Sequence, residues 1–188
     1  MKNIIAIVLF TITFTSSAQE ADFFKKTDDF LKKHVDESGQ VAYQSIEKSP
    51  ADLDELVQLI STTELKSLSP DTRKAFLINS YNILVIAQVI DLYPIKSPLD
   101  NSSFFNGISH KVGSESLTLD QLEKGMLMME YHDERTHFVL VCAAKSCPPL
   151  ANYAYLPETV ESQLEERTRY VLNLDWFIQV DKKVALSQ

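Results

Sequence analysis

The sequence predicts an α+β fold in which about five helices pack on a small, mostly antiparallel sheet within a single compact domain. Two stretches support this prediction. Residues 70–93 are apolar on nearly all sides at helical spacing, so a helix here needs neighbours over most of its surface. Residues 137–144 form a short apolar run that ends in a polar turn, which is typical of a buried strand covered on both faces. A central strand with the long helix packed across it satisfies both patterns.

Residues 1–18 have the pattern of a secretory signal peptide. Lys2 precedes an apolar run over residues 4–14, and small residues follow up to Ala18. The run is shorter than the ~20 residues that a membrane-spanning helix needs, and no cysteine follows it as a lipid attachment site. The sequence therefore predicts a periplasmic or secreted protein, with residues 19–188 as its single globular domain.

The composition narrows the class of partner. The chain has a formal net charge of -8, and it contains no long run of Lys and Arg. Nucleic acids and anionic membranes select basic surfaces, so neither is an expected partner. A small-molecule or peptide-like ligand that is neutral or cationic fits the charge better. The residues indicate no cofactor, and two cysteines are too few for a disulfide scaffold.

Amphipathic patterns predict further helices on both sides of the apolar one. Residues 21–35 repeat apolar side chains at helical spacing, and residues 41–43 read as a short extended piece. Ser49 followed by Pro50 is a helix start, because a capping residue precedes a first-turn proline. Another helix begins after Pro157.

Hairpins are predicted in two places. Residues 108–119, interrupted by a Gly-Ser-Glu turn, form the first and carry His110. Thr118 and Gln121 have the spacing of a capping box, which predicts that the next helix begins here. This helix carries Glu123. Residues 176–180 and 184–186 flank a polar turn and predict a terminal hairpin.

Two amides lie inside the apolar helix. Asn79 and Asn82 are three residues apart and therefore share one face. A buried amide is costly unless its donor and acceptor groups are paired. One interpretation is that these amides satisfy the backbone of a neighbouring loop, which is the commonest role of side-chain hydrogen bonds. The alternative is that one of them orients a catalytic imidazole.

The two cysteines are predicted to differ in reactivity. Cys142 falls in the middle of the predicted strand, where a thiol is usually a small hydrophobe, and Cys147 falls in the turn beyond it, where a thiol can be exposed and reactive. A strand rises ~3.3 Å per residue, so the two Cα atoms reach disulfide distance only if the chain turns sharply at residues 145–146. The prediction is that they are not bridged to each other.

Four motifs occur in order along the chain. They are Phe76-Leu-Ile-Asn79-Ser-Tyr81-Asn82, Leu117-Thr-Leu-Asp-Gln-Leu-Glu123, Asp133-Glu-Arg135-Thr-His137-Phe and Ser146-Cys147-Pro148. Together they resemble the family called domain of unknown function 547, of which this chain would be a bacterial, exported member. The resemblance spans roughly residues 28–188 and includes Gly39 and Tyr43. It implies no established activity. Family members continue beyond a segment like residues 184–187 with a further aromatic-containing stretch, so the resemblance implies that this sequence is C-terminally incomplete.

Three classes of function are compatible with these residues. The first is a cysteine-dependent hydrolase or acyl transferase that uses a Cys/His pair. The second is a non-catalytic binding or cell-envelope structural domain, in which the cysteines are bridged or inert and the polar motifs hold loops. The third is a metal site drawn from His110, His132, His137 and the cysteines, although their spacing matches no zinc motif.

The enzyme hypothesis assigns specific roles. Cys147 is the candidate nucleophile, His137 its base and Glu123 the orienting group. The supporting residues are Asn79, Asn82 and Arg135, with His110 as the reserve base. The competing interpretation of His137 is that it only hydrogen-bonds a backbone carbonyl. Neither metal ligands nor cofactor-binding residues are predicted.

Overall fold

The computed structural model describes residues 4–144, 147–180 and 184–186, with side chains described over 18–144 and 147–177. The α-helices are α1 (Ile4–His34), α2 (Tyr43–Lys48), α3 (Ala51–Thr62), α4 (Pro70–Asp91), α5 (Met129–Tyr131) and α6 (Val160–Leu172). A π-helical segment, Gln121–Met128, leads into α5, and 3-10 turns lie at Leu65–Ser67, Pro98–Asp100 and Glu134–Phe138. The strands are β1 (Ser109–Val112), β2 (Glu115–Thr118), β3 (Ile178–Val180) and β4 (Val184–Leu186). The predicted α+β class is confirmed.

Helix α4 is the buried centre of the fold, as its apolar sequence predicts. It begins where Ser69 accepts a hydrogen bond from the backbone N–H of Thr72 and Pro70 takes the first helical position. The side chains from Lys74 to Val89 are buried, and they pack against α1, α3, α6 and the π-helical segment. A buried helix of this kind positions any polar side chain that it carries with little freedom to move.

The hairpin predicted at residues 108–119 and the helix predicted after it are also confirmed. Strands β1 and β2 pair antiparallel, with Ser109 opposite Thr118. Gly113 turns the chain with a φ of +59°, and a Cβ at this position would lie 2.7 Å from the carbonyl oxygen of Thr63. Thr118 and Gln121 form the capping box through two reciprocal bonds of 2.9 and 3.2 Å. The terminal hairpin is present as β3 and β4.

The predicted central strand at residues 137–144 is wrong. Residues 134–138 form a 3-10 turn, and the chain then runs without regular structure through residue 144. Val139, Leu140 and Val141 are nevertheless buried, as the apolar run requires. The two hairpins are therefore separate two-stranded sheets in the described chain, rather than parts of one sheet around this segment.

Two further differences lie in the first part of the chain. The helix predicted at residues 21–35 extends back to Ile4, through most of the segment predicted as a signal peptide. Val41 makes an isolated bridge with Val35, and residues from Tyr43 onward form α2 instead of an extended piece. Among the described residues, no helix combines the length and apolar character needed to cross a membrane.

Candidate functional site

Asn82 holds the irregular segment that replaces the predicted strand. Its Nδ2 donates to the carbonyl oxygen of Val139 at 3.0 Å, and its Oδ1 accepts from the backbone N–H of Val141 at 3.1 Å. Bonds to residues on either side of Leu140 are the pattern that one residue of a parallel strand makes with its neighbour. A side-chain amide therefore satisfies the buried backbone that a neighbouring strand would otherwise have to satisfy.

Asn79, about one turn earlier on α4, also bonds the backbone of a neighbouring segment through its side-chain amide. Its Nδ2 donates to the carbonyl oxygen of Tyr155 at 2.7 Å, and the N–H of Tyr155 donates to its Oδ1 at 3.0 Å. The Nδ2 also donates to the carbonyl oxygen of Ala75 at 2.9 Å. The interpretation that both amides satisfy neighbouring backbone is confirmed, and both amides are occupied by it.

The prediction that Cys142 and Cys147 are not bridged is wrong. The structure joins them by a disulfide, with their Cα atoms 6.0 Å apart. The predicted spacing assumed a strand, whereas Ala143 adopts a φ of +54° and the N–H of Cys147 donates to the carbonyl oxygen of Ala144. This is the sharp turn that the bridge requires. In the bridged form neither sulfur is a thiolate, so neither is a nucleophile.

A cleft of about 580 Å³ lies beside the disulfide. One wall is the turn after α1, with Val41 and Tyr43, and the other is formed by described residues within 141–144 and 147–150. Trp176, which is 42% exposed, adds an aromatic face. The described residues that line the cleft are Ser38, Gly39, Gln40, Val41, Tyr43, Val141, Ala143, Ala144, Cys147, Pro148, Pro149, Leu150 and Trp176. None of them is charged, and most are apolar.

The first wall is shaped by Asp36 and Gly39. The Asp36 carboxylate accepts from the hydroxyl and N–H of Ser38 and from the N–H of Gln40, and these bonds lower the pKa of Asp36. Gly39 has a φ of +80°, and a Cβ there would lie 2.6 Å from the Cβ of Pro149. Only glycine lets the two walls approach this closely.

The second wall is held by Arg167 of α6. This buried side chain donates from Nη2 to the carbonyl oxygen of Pro149, and its guanidinium lies over the ring of Tyr170, 4.6 Å from the centroid. Its role in the described structure is therefore to position the cleft wall.

The remaining candidate residues lie in separate surroundings. Glu123 accepts a hydrogen bond from Tyr81 at 3.3 Å, and burial together with this carboxylate raises the pKa of Tyr81. His110 bonds through Nε2 to Oε1 of Gln88 at 2.6 Å, and burial lowers the pKa of His110. His137 is exposed, and its ring contacts that of Phe138. No hydrogen bond or ion pair between described residues joins Cys147, His137 and Glu123, so their catalytic roles stay predictions.

Arg135 belongs to a charged cluster that we call the ion-pair quartet, formed by Lys74, Asp133, Arg135 and Glu161. Asp133 accepts two bonds from the guanidinium of Arg135, at 2.9 and 2.8 Å, one from the backbone N–H of Arg135 at 3.1 Å, and one from Lys74 at 2.7 Å. Glu161 bonds both cations, Lys74 at 2.7 Å and Arg135 at 2.5 Å. These bonds lower the pKa of Asp133 and of Glu161. The quartet ties α4 to α6 through residues 133–135.

A metal site was the third class of function that the sequence left open, with His110, His132, His137 and the cysteines as candidate ligands. The part of the chain that the structure describes contains no group of three or more His, Cys, Asp or Glu side chains that could hold a metal ion. The histidines proposed as ligands have other neighbours: His110 bonds Gln88, and His137 contacts Phe138.

Sequence reasoning missed most of the cleft. Of the lining residues it singled out Cys147 for chemistry, and it included Gly39, Tyr43 and Pro148 in the family resemblance without giving them a role in a site. Trp176 could have been found, because it is the single tryptophan of the chain and follows a polar stretch near its end. No local sequence pattern indicates that residues 38–43 lie opposite residues 141–144 and 147–150.

Comparison with known proteins gives one finding. The family model described as "Protein of unknown function, DUF547" matches residues 65–171. Neither the comparison with curated proteins nor that with solved structures gives a match. The matched region contains Asn79 and Asn82, the ion-pair quartet, and the second wall of the cleft with its disulfide. Because the match covers more than half of the chain, this protein belongs to the DUF547 family.

Proposed function

We propose that the protein is a non-catalytic binding domain and that the cleft beside the disulfide is its binding site. The observation that supports this proposal is the cleft itself, since about 580 Å³ lies within the range of small-ligand sites. Its walls are mostly apolar, and a few polar groups are interspersed. Sites of this composition gain affinity from apolar burial and orientation from the polar groups.

The lining favours an uncharged, peptide-like ligand with apolar side chains. No described lining residue is charged, and the chain carries a net charge of -8, which disfavours anions. Tyr43, Trp176 and Gln40 offer a hydroxyl, an indole N–H and an amide. Burial raises the pKa of Tyr43 to about 12, so its hydroxyl stays protonated at neutral pH. These groups match the carbonyl and N–H groups of a peptide.

The same surroundings give less support to a hydrolase or acyl transferase. The observation in its favour is that Cys147 lines the cleft. Thiol catalysis needs a thiolate and a base within hydrogen-bond reach. Cys147 is bridged to Cys142, and no imidazole is among the described lining residues. Binding requires neither group.

Trp176 provides a direct test of binding, because it is the only tryptophan of the chain and lines the cleft. The probes are acetylated, amidated peptides in which a central serine is flanked by Leu, Val or Phe. We expect a saturable change in Trp176 fluorescence with members of this panel, and no change with peptides of equal length whose flanking residues are Glu. Absence of a saturable change across the neutral panel, or an equal response to the acidic peptides, contradicts the proposal.

A matched pair of glycine variants links the response to the cleft. Gly39→Ala places a methyl group against Pro149 and should weaken peptide binding about tenfold, a loss of ~1.4 kcal/mol. Gly125→Ala adds the same methyl group in the π-helical segment, where nothing beyond the adjacent residues and the local helix backbone lies within 4 Å of the new Cβ, and should leave binding unchanged. Equal affinities for the two variants would place the peptide elsewhere on the protein.

We also propose that the protein acts outside the cytoplasm after removal of residues 1–18. Support comes from the charged, apolar and small-residue regions of that segment, and from a disulfide, which persists in oxidising compartments. Intact-mass measurement of the protein exported from a bacterial host should give a chain that begins at Gln19. Recovery of the full chain from the membrane fraction is the contrary result.

A further inference from the structure

The disulfide has an asymmetric position relative to the cleft. Cys147 lines the cleft, whereas Cys142 is not among the described lining residues. Both cysteines are partly exposed. A disulfide that a thiol can reach is more easily exchanged than one enclosed in a core. A thiol held in the cleft would therefore approach the bond from the side of Cys147.

The bond also closes a short ring whose two ends are held by other contacts. Cys142 and Cys147 are five positions apart. Asn82 holds the backbone at Val139 and Val141 before the ring, and Arg167 holds Pro149 after it. None of these contacts involves a sulfur atom. Opening the bond therefore leaves the anchors of the cleft wall in place, which distinguishes this disulfide from one on which a scaffold depends.

We propose that this pair is a stoichiometric thiol–disulfide exchange site for cysteine-containing peptides bound in the cleft, which reacts once per protein molecule without catalytic turnover. The inference rests on the proposed function, because the cleft must first hold the peptide. The peptide thiolate attacks Sγ of Cys147 and forms a mixed disulfide, while the Cys142–Cys147 bond breaks and Cys142 leaves as a thiolate that takes up a proton from water. Attack by a second thiol of the peptide on the mixed disulfide oxidises the peptide to a disulfide and leaves both protein cysteines reduced.

The first experiment maps the mixed disulfide on the unmodified protein. The oxidised full chain is mixed with acetyl-Leu-Cys-Phe-amide, and free thiols are then alkylated in acid before peptide mapping by mass spectrometry. We expect the peptide on Cys147 and the alkyl group on Cys142. Adducts mainly on Cys142, or divided equally between the two cysteines, overturn the proposal.

The second experiment measures whether the cleft accelerates exchange. Binding raises the effective concentration of the peptide thiol to the millimolar range, so micromolar peptide should react at least about tenfold faster than the same concentration of N-acetylcysteine amide. Gly39→Ala should remove most of this advantage, and Gly125→Ala should retain it. Equal rates for the peptide and the small thiol overturn the inference.

Single-cysteine variants provide an independent arm. Cys142→Ser leaves Cys147 free and removes the thiol that would reverse the mixed disulfide, and Cys147→Ser is its matched control. With the disulfide-linked dimer of the probe peptide, Cys142→Ser should form a stable adduct about tenfold faster than Cys147→Ser, because only Cys147 lines the cleft. Equal or reversed rates contradict the assignment.

The corresponding serine peptide separates the two proposals. If acetyl-Leu-Ser-Phe-amide changes Trp176 fluorescence but the cysteine peptide forms no preferential adduct, the exchange site is wrong and the binding function stands. If the serine peptide does not bind and the cysteine peptide reacts no faster than the small thiol, both are wrong.

Discussion

Asn82→Ala is expected to lower the free energy of unfolding by about 4 kcal/mol. The substitution removes two hydrogen bonds and leaves the carbonyl of Val139 and the N–H of Val141 without their partner in a buried region. An unsatisfied buried polar group costs ~1–3 kcal/mol, and two such groups are created here. Asn82 is only 2% exposed, so water cannot easily replace the lost amide.

Urea unfolding followed by far-UV circular dichroism measures this effect. Asn106→Ala is the matched control, because Asn106 is exposed, and its substitution should change stability by less than ~0.5 kcal/mol. Asn82→Asp retains the oxygen that accepts from Val141 but places a carboxylate oxygen against the carbonyl of Val139 in a buried site, so at neutral pH it should be no more stable than Asn82→Ala. A loss below about 1 kcal/mol in Asn82→Ala would show that the amide does not hold this segment.

Lys74→Met is expected to destabilise the protein by about 3 kcal/mol at neutral pH, because it removes one partner of a buried ion pair. The Lys74 and Asp133 side chains are 7% and 12% exposed, and their charged atoms are 2.7 Å apart. Without the ammonium, Asp133 keeps Arg135, while Glu161 loses one of its two cations. The double variant Lys74→Met with Asp133→Leu removes both buried charges and should recover part of the loss.

The pH dependence of this loss has a definite sign. The bonds from Arg135 and Lys74 lower the pKa of Asp133 below its value in the unfolded chain. Stability from a depressed carboxyl pKa is complete above the unfolded value of ~3.9 and is lost as the pH falls through the folded value. The difference between wild type and Lys74→Met should therefore be constant from pH 7 to about 5 and shrink at lower pH. A difference that grows on acidification contradicts the quartet.

The sequence by itself determined the features that neighbouring residues create. Ser69 and Pro70 start α4, Thr118 and Gln121 form the capping box, and a Gly-containing turn separates β1 from β2. Each depends on side chains and backbone groups only a few positions apart, so the pattern in the sequence contains the whole interaction. The apolar character of α4 likewise predicted its burial. The four motifs identified the family, which the match of the family model to residues 65–171 confirms.

Only the tertiary structure decided which group forms hydrogen bonds with the backbone at residues 139–141. An apolar run shows that a segment is buried, but it does not show whether another strand or a side chain satisfies its polar groups. Asn82 lies 57 positions before Val139, and its amide takes that role. With no strand there, Ala143 was free to take a left-handed φ, and the turn brought Cys142 and Cys147 within bonding distance.

The candidate site shows the same division. The sequence identified Cys147 as a candidate for chemistry, but it could not show that Cys147 lines a cleft together with Val41, Tyr43 and Trp176 and without His137 or Glu123. These lining residues come from the first and last parts of the chain. Gly39 and Arg167 both contact Pro149 in the cleft wall. A cleft is the space between distant segments, so its shape and chemistry depend on packing that local sequence patterns do not contain.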